Sequence, residues 1–284
     1  MPVTNDERQP VPCALCGGKI FKPSFSCENF SYVKCAACGL VQMNPQPLAA
    51  DIERRYRDIF GNDYCSYELC NEANFLVLQK LALNDAGFYR IERKLMKKGY
   101  LSGQQPSVLD LGCAAGAMLA YLKERGWQTV GVEISPAADY ARNERKLDVR
   151  RMGFEECHFQ AEAFDFVLAS HFIEHLNNPH ICMGEAWRVL RRGGYFLVTT
   201  PNIGGFQARL FSGRWRSAIF DHLYLFSKST IGLMLTNAGF VIEGFYTWGG
   251  LAAGTTAPAF KKFADKTAKL LGIGDVMLVK ARKK

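Results

Sequence analysis

Four cysteines near the N-terminus have the spacing of a metal site. They form two Cys-x-x-Cys pairs separated by eighteen residues, Cys13 with Cys16 and Cys35 with Cys38. Four thiolates can close a tetrahedral structural zinc site that leaves no open position for catalysis. Two redox pairs, or thiols without a ligand, are the alternative interpretation. The spacing predicts one structural zinc ion in a small zinc-ribbon-like module spanning residues 1–48.

A glycine-containing turn follows a strongly apolar strand pattern. The segment from Asp110 to Gly116 reads DLGCAAG and continues into a helical pattern. Gly112 and Gly116 let the backbone approach a ligand, and the start of a helix offers unpaired N–H groups. A dinucleotide fingerprint would need glycine where Ala114 and Ala117 stand, and the sequence contains no P-loop motif. The turn therefore predicts a ligand site that does not depend on binding a pyrophosphate.

Glu133 ends the next strand pattern, 23 positions after Asp110. A carboxylate at this place in a doubly wound fold can accept hydrogen bonds from both hydroxyls of a ribose. Taken alone it would be an ordinary carboxylate at a strand end. In combination with the preceding turn, it predicts a ribose contact.

A histidine-rich segment matches a metallopeptidase signature, because His171-x-x-Glu174-His175 has the form H-x-x-E-H. Such a motif must lie within a helix that presents both histidines on one face. Here it directly follows a strand pattern, and Pro179 comes four positions after His175. The context therefore argues against a peptidase and favours a role in packing and orienting a loop.

The rest of the chain predicts an α/β fold. Residues 49–100 have a helical pattern, and strand patterns alternate with helices within residues 107–284. This alternation is typical of a doubly wound, Rossmann-like parallel sheet with helices on both faces. We therefore expect an N-terminal module at 1–48 and a domain at 49–284, in which helices at 49–100 precede the core.

The composition is that of an ordinary globular protein. The chain has 284 residues, 48% of them hydrophobic and 22% charged, and no run is long and apolar enough to span a membrane. No secretory signal pattern opens the sequence, so we expect a cytoplasmic protein whose ten cysteines are metal ligands or buried thiols. The net charge of +8 indicates anionic partners without identifying them.

Five segments, in order, resemble the class I S-adenosylmethionine-dependent methyltransferases across residues 107–248. They read VLDLGCAAG, VGVEIS, FDFVLASHFIEHLNNP, VLRRGGYFLVTTPN and DHLYLFS. The resemblance implies a seven-stranded sheet whose last strand is antiparallel, with S-adenosylmethionine bound and S-adenosylhomocysteine released. Ala114 stands where the family usually has a third glycine. The residues implied to contact the cofactor are Asp110, Gly112, Cys113, Gly116, Glu133, Ile134, Phe154, Ser170 and His171.

The four-cysteine segment narrows the resemblance to methyltransferases that act on sugars or cell-surface glycans. Their N-terminal segment has the form CxxCG…CxxCG followed by asparagine and proline, as here. Deoxysugar C-methyltransferases also have a catalytic histidine four residues before a Phe-Ser pair, the position of His222 in this chain. The tyrosine that assists their histidine is replaced by Ile219, and their extra C-terminal domain has no counterpart in this sequence. The resemblance to the C-methyltransferases is therefore only partial.

A base near the methyl donor would serve an acceptor that loses a proton. Neutral histidine suits this role, which makes His222 the first candidate and His171 the second. For both residues a purely structural role is the alternative. The segment before His222 contains Arg209, Arg214 and Arg216 together with Trp215, which could grip an anionic acceptor or form a solvated basic loop.

The sequence therefore predicts a methyltransferase for a small-molecule, sugar or glycan-precursor acceptor. Methylation of ribosomal or transfer RNA is the alternative, since some ribosomal RNA enzymes also combine a zinc module with this fold. Against it, residues 13–38 offer only three lysines as basic groups. A catalytically inactive binding protein is a third possibility, and the oligomeric state is left open.

Overall fold

A mixed sheet of seven strands forms the centre of the computed structural model, which describes residues 7–59, 61–249 and 258–284. The strands are β1 (Arg8–Gln9), β2 (Phe21–Ser26), β3 (Ser31–Cys35), β4 (Val41–Met43), β5 (Gln46–Pro47), β6 (Ser107–Leu111), β7 (Gln128–Val132), β8 (Val149–Arg150), β9 (Phe164–Ser170), β10 (Leu190–Pro201), β11 (Tyr224–Leu225), β12 (Val241–Trp248) and β13 (Val276–Arg282). The α-helices are α1 (Ala49–Arg54), α2 (Gly61–Asp85), α3 (Phe88–Ser102), α4 (Ala117–Glu124), α5 (Ala137–Asn143), α6 (Pro179–Val189), α7 (Phe206–Phe211), α8 (Lys228–Asn237) and α9 (Pro258–Leu271).

The order of the central sheet is β12-β13-β10-β9-β6-β7-β8. Strands β8, β7, β6, β9 and β10 pair in parallel, whereas β13 is antiparallel to both of its neighbours. This confirms the expected seven-stranded sheet with an antiparallel last strand. From β6 the chain proceeds to β7 on one side and later returns to β9 on the other. The carboxyl ends of β6 and β9 therefore form the topological switch point, where such sheets bind ligands.

Alternating side chains explain why the inner strands are apolar throughout. Val108 on β6 packs with Phe88, Trp127 and Phe166 on one face, whereas Leu109 belongs to the core on the opposite face. Successive side chains of a strand point to opposite faces, so a sheet covered on both sides buries all of them. The rings of Phe88 and Trp127 are stacked, with their centroids 5.5 Å apart, and cover the first face. The helical region expected at 49–100 supplies that cover through α2 and α3.

The N-terminal module shares its sheet with the larger domain. Strands β2, β3 and β4 form an antiparallel sheet whose fourth strand, β11, comes from residues far along the chain. Tyr224 pairs with Gln42, and Leu225 pairs with Val41. An edge strand has unpaired backbone groups, and β11 satisfies those of β4. The module is therefore joined to the domain beside His222, an arrangement that the segment boundary near residue 48 does not predict.

None of the helices in the described part of the chain is long and apolar enough to cross a lipid bilayer.

Candidate active site and metal centre

The four predicted zinc ligands lie together. Cys13 Sγ is 3.4 Å from Cys38 Sγ, Cys16 Sγ is 3.5 Å from Cys35 Sγ, and all four sulfur atoms lie within 4.8 Å of one another. These separations far exceed the roughly 2.05 Å of a disulfide bond. Four thiolates around zinc, at about 2.3 Å from the metal, would lie about 3.8 Å apart. The donor set and its dimensions therefore fit a single tetrahedral zinc ion.

The surroundings of these sulfur atoms also suit a metal. A Cβ atom added to Gly18 would lie 3.3 Å from Cys16 Sγ and 3.4 Å from Cys35 Sγ, so any side chain there would crowd the sulfurs. Burial acts to raise the pKa of the Cys35 thiol, but hydrogen bonds from backbone N–H groups, first that of Cys38, outweigh it and lower the pKa to about 7. A thiol of this kind readily supplies the thiolate that a metal binds.

Glu133 forms hydrogen bonds with the backbone of the turn that follows β6 and of the turn that follows β7. Its Oε2 accepts a hydrogen bond from the backbone N–H of Ala114 at 3.1 Å, and its Oε1 accepts one from that of Ser135 at 2.8 Å. The side chain is only 6% exposed. Ala114 has a φ of +46°, the left-handed region that the family's glycine adopts more readily. The carboxylate thus holds a turn in which alanine is strained.

The remaining residues of the first turn are closely packed. A Cβ atom on Gly112 would lie 2.7 Å from the ring of Phe172, and one on Gly116 would lie 2.6 Å from Leu147. The side chain of Cys113 is buried in the small core beneath α4 and α5. Gly112 and Gly116 are therefore needed for packing as well as for access, and Cys113 contributes to the turn through its backbone.

Three carboxyl groups crowd the switch point. Burial, and then the charge of Glu133, raises the pKa of Asp110 to about 7. The same two causes, in the same order, raise the pKa of Glu68 on α2 to about 7. Carboxylates packed this closely repel one another, and a bound cation would relieve that repulsion. Glu68, on α2, is thus electrostatically coupled to Glu133, a relationship that sequence reasoning missed because Glu68 lies in an ordinary helical pattern.

His171 forms a pair with Glu174 at the end of β9. Its Nδ1 lies 3.2 Å from Glu174 Oε1, and its side chain is 46% exposed. The other carboxylate oxygen accepts a hydrogen bond from the hydroxyl of Thr200 at 3.0 Å, and the Glu174 side chain is fully buried. Burial acts to raise the pKa of Glu174, but the hydrogen bond with His171 and the nearby histidine charges outweigh it and lower the pKa to about 2. The pair therefore holds an imidazole with its Nε2 available.

His222 is buried, with 7% of its surface exposed. Its Nδ1 lies 2.8 Å from the carbonyl oxygen of Ser217, so it donates there and leaves Nε2 unprotonated in the neutral ring. The His175 ring lies 4.8 Å away. Burial, and then the charge of His175, lowers the pKa of His222 to about 4. The residue is thus neutral at physiological pH and has little affinity for a proton.

Two tyrosines that sequence reasoning did not select support this cluster. The hydroxyl of Tyr56, just after α1, lies 2.9 Å from Nδ1 of His175. The hydroxyl of Tyr32, on β3 of the module, donates to the backbone carbonyl oxygens of Ile219 at 2.9 Å and His222 at 2.7 Å. The signal for Tyr56 was an aromatic residue in the middle of the charged stretch DIERRYRDIF. No local pattern marked Tyr32.

The H-x-x-E-H segment forms a short 3-10 turn, Ile173–His175, and His171 precedes it. Glu174, His175 and His222 offer ligand atoms within 4.8 Å of one another and could hold a metal. Both oxygens of Glu174 already accept hydrogen bonds from His171 and Thr200. The segment therefore lacks the helix of a zinc peptidase, and its glutamate hydrogen-bonds with His171 and Thr200.

The other residues implied to touch the cofactor surround the same edge. Ser170 is the last residue of β9, and Ile134 comes two positions after the end of β7 and is half-buried. Phe154 is buried, and its ring centroid lies 6.3 Å from that of Phe159. Their roles in binding an adenine or a methionine moiety stay predictions.

The arginine-rich segment before His222 divides into separate roles. Trp215 is buried and donates a hydrogen bond from Nε1 to Asp275, and Arg216 Nε lies 2.5 Å from the same carboxylate. These contacts anchor the segment, so Trp215 does not stack on a ligand. Arg209 and Arg214 line two different cavities. The residues expected to grip an anion together therefore do not form one site.

Comparison with known proteins identifies the family of this chain. A family model described as a methyltransferase domain matches residues 78–243. The ubiquinone biosynthesis O-methyltransferase of Bradyrhizobium sp. (strain ORS 278) is 32% identical over 126 residues, which are 42% of this chain and 49% of that protein. The mitochondrial enzyme of the same name from Rattus norvegicus is 30% identical over 112 residues, or 36% and 32% of the two chains. The matches thus span half or less of these curated relatives.

Among solved structures, a SAM-dependent methyltransferase from Thermotoga maritima is similar at 21% identity and a TM-score of 0.49, over 74% of this chain and 97% of that one. A SAM-dependent methyltransferase from Archaeoglobus fulgidus is 19% identical at a TM-score of 0.48, over 69% and 94%.

Proposed function

We propose that this chain, which belongs to the methyltransferase-domain family, transfers the methyl group of S-adenosylmethionine to a small-molecule acceptor. The observation that carries the proposal is the group of carboxyls at the switch point. Asp110, Glu133 and Glu68 lie where this fold binds ligands, and the pKa values of Asp110 and Glu68 are raised by burial and by the charge of Glu133. A sulfonium cofactor brings positive charge to that place.

The cofactor supplies an activated methyl group, so the protein has only to align the acceptor and exclude water. Glu133 is positioned to accept hydrogen bonds from ribose hydroxyls, since each oxygen already bound to a backbone N–H retains a second lone pair. Phe172, packed against Gly112, shapes the wall between the cofactor turn and the loop that carries His171.

His171 is the general base of this proposal. Its exposed Nε2 can take a proton from an acceptor, and the buried carboxylate of Glu174 stabilises the imidazolium that forms. His222, the first candidate from the sequence, is buried and has a pKa of about 4. A base of that pKa is poorly matched to neutral pH. In this proposal His222 therefore stabilises the hydrogen-bond network around the histidines, and His171 accepts the proton of the acceptor.

We also propose that the four cysteines hold one structural zinc ion. The acceptor proposed here is a sugar or glycan precursor. The zinc-type module beside His222 supports this grouping, because glycan methyltransferases of similar sequence share its pattern. The curated relatives are ubiquinone biosynthesis O-methyltransferases, which favours a small molecule as the acceptor and oxygen as the methylated atom. A hydroxyl acceptor also fits a base such as His171, since the hydroxyl must lose its proton during transfer.

RNA methylation is the second candidate, favoured by the net charge of +8. RNA-binding modules combine basic groups with exposed aromatic residues. In the four-cysteine module, however, Tyr32 is buried at 1% exposure, and Phe25 and Phe30 pack against its ring. The module's rings thus stabilise its attachment to the domain.

Calorimetric titration with S-adenosylhomocysteine tests the cofactor site. Wild-type protein should bind near micromolar affinity, Glu133→Ala should bind at least tenfold more weakly, and the exposed Glu144→Ala should match the wild type. Methyl transfer from labelled cofactor to nucleotide-linked sugars or to RNA then separates the two acceptor classes. Absence of cofactor binding in the wild type would overturn the proposal and favour an inactive binding protein.

A further inference from the structure

The charges of the long helix α2 lie on the side opposite to that expected. A surface helix ordinarily turns its apolar residues to the core and its charged residues to solvent. On α2, the carboxylate of Glu72 pairs with Arg145, and the ammonium nitrogen of Lys80 lies 4.0 Å from the centre of the Tyr121 ring. Glu72 and Lys80 are both half-buried. These charged side chains are therefore used for contacts with the domain.

The outer face of α2 is uncharged over most of its length. Every exposed residue of the helix within residues 66–84 lacks a charge, and we call this face the α2 stripe. Val77, Leu78 and Leu81 are adjacent on it, and each is more than half exposed. Single apolar residues on a surface are ordinary, but a contiguous group of large ones marks an interaction site. The α2 stripe is therefore a candidate for contact with another molecule.

The apolar surface continues at the end of α9. Asp85 comes one turn after Leu81, and its carboxylate lies 2.5 Å from the ammonium nitrogen of Lys269. This ion pair brings the last turn of α9 beside the last turn of α2. Leu270 and Leu271 follow Lys269 directly, and both are more than half exposed. Two helices thus contribute large aliphatic side chains to one region of the surface.

A second copy of this chain is the partner that the α2 stripe fits best. A helix that lies on an anionic membrane has lysine or arginine beside its apolar residues, and nucleic acids are bound through cations. The α2 stripe contains neither lysine nor arginine. A charged protein face would have to bury charges against it without partners, which is costly. Two copies related by a two-fold axis would present the same uncharged face to each other.

The size of this surface indicates a dimer of modest affinity. At 1.5 Å per residue on a helix about 10 Å wide, the α2 stripe covers roughly 300 Å². A standard interface takes about 800 Å² from each partner, so the leucines at the end of α9 must contribute as well. We therefore expect a dissociation constant in the micromolar range.

We propose that the α2 stripe and the end of α9 form a homodimer interface. Leu78 is the most exposed of the three apolar residues on the stripe. The two-fold axis passes beside it, so that Leu78 of one copy faces Leu78 of the other. This proposal goes beyond the methyl-transfer reaction and does not depend on it.

Sedimentation equilibrium of the purified chain, from about 1 to 200 µM, tests the interface. The wild type should form a dimer within this range. Leu78→Glu should raise the dissociation constant at least tenfold, because it places two carboxylates together at the axis. Leu233→Glu, at an exposed leucine on α8, should leave the constant within about twofold of the wild type. Circular dichroism shows whether each variant is folded.

An equimolar mixture of the Leu78→Glu and Leu78→Lys variants separates a lost contact from a damaged fold. Opposite charges would then face each other across the axis, so the mixture should dimerise more tightly than either variant alone. A monomeric wild type, equal dimerisation of Leu78→Glu, or no rescue in the mixture would each overturn the proposal. It would also be wrong if a monomeric wild type bound phosphatidylglycerol vesicles and Leu78→Glu did not, since the surface would then contact a membrane.

Discussion

The hydroxyl of Tyr32, on the four-cysteine module, lies 2.7 Å from the backbone carbonyl oxygen of His222. The next residue, Leu223, accepts a hydrogen bond from the backbone N–H of Met43 at 2.8 Å and donates one to the carbonyl oxygen of Glu174 at 2.8 Å. The module, the His222 segment and the loop that carries His171 are therefore linked by consecutive hydrogen bonds. The four-cysteine module therefore contacts the segment that borders the proposed active site.

Removal of the Tyr32 hydroxyl should loosen this link. Tyr32→Phe keeps the ring and leaves the carbonyl oxygen of His222 without this donor, whereas that of Ile219 still accepts from the backbone N–H of His222. We therefore expect the free energy of unfolding to fall by about 1–2 kcal/mol. Urea denaturation measures this change. Tyr67→Phe, at a tyrosine that is 57% exposed, should change stability by less than about 0.5 kcal/mol. Equal effects of both substitutions would contradict the role given to the Tyr32 hydroxyl.

The four cysteines should bind one zinc ion per chain. Cys35→Ser removes one ligand and should reduce the metal content measured by mass spectrometry, together with the thermal stability of the protein. Cys70→Ser, at an exposed cysteine on α2, should keep both. A Cys35→Ser protein with its full zinc content would refute the site.

His171→Ala should lower kcat by about 10²–10⁴-fold because it removes the proposed base. The affinity for S-adenosylhomocysteine should change little, which calorimetry can confirm. His222→Gln, in contrast, should lower the unfolding temperature and reduce kcat less than His171→Ala does. If His222→Gln abolished turnover in a folded protein while His171→Ala left it unchanged, His222 and not His171 would be the general base.

Burial of His222 should make stability fall in mild acid. Its pKa is lowered from 6.5 to about 4, so between these values the unfolded chain binds a proton that the folded protein does not. The free energy of unfolding should therefore decrease as the pH falls from 6.5 to 4, by about 3 kcal/mol for this residue alone. Asp110, whose pKa is raised, has the opposite effect.

Comparison with His222→Gln isolates this contribution, because the effect of Asp110 is common to both proteins. Denaturant unfolding at pH 7.5, 5.5 and 4.5 should show the wild type losing stability faster than the variant. Parallel curves would mean that His222 is not buried in its neutral form.

Ala114→Gly should relieve the strain of a left-handed backbone at φ +46°. The gain is at most about 1–2 kcal/mol, reduced by the larger unfolded-state entropy of glycine. Ala115→Gly, at a neighbour without a positive φ, should instead destabilise the protein. Thermal unfolding of the two variants compares them, and S-adenosylhomocysteine binding should be retained by Ala114→Gly.

Local sequence patterns determined the central sheet. The strands β6, β7, β9, β10, β12 and β13 lie within residues 107–284, where alternating strand and helix patterns were predicted. The patterns are readable because strands buried on both faces are apolar throughout and helices separate most of them. The grouping of the four cysteines and the glycine-containing turn were also predictable. Their chemistry depends on residues close in sequence, such as each Cys-x-x-Cys pair and the turn from Asp110 to Gly116.

Contacts between distant segments were decided by the tertiary structure alone. Tyr32 approaches His222 across 190 positions, and Tyr56 approaches His175 across 119. The pairing of β11 with β4 arises in the same way. The residues adjacent in sequence to His171 and His222 do not indicate that the first is exposed and the second is buried. A side chain's solvation and partners depend on which remote surfaces pack around it, so the choice between these histidines required the folded protein.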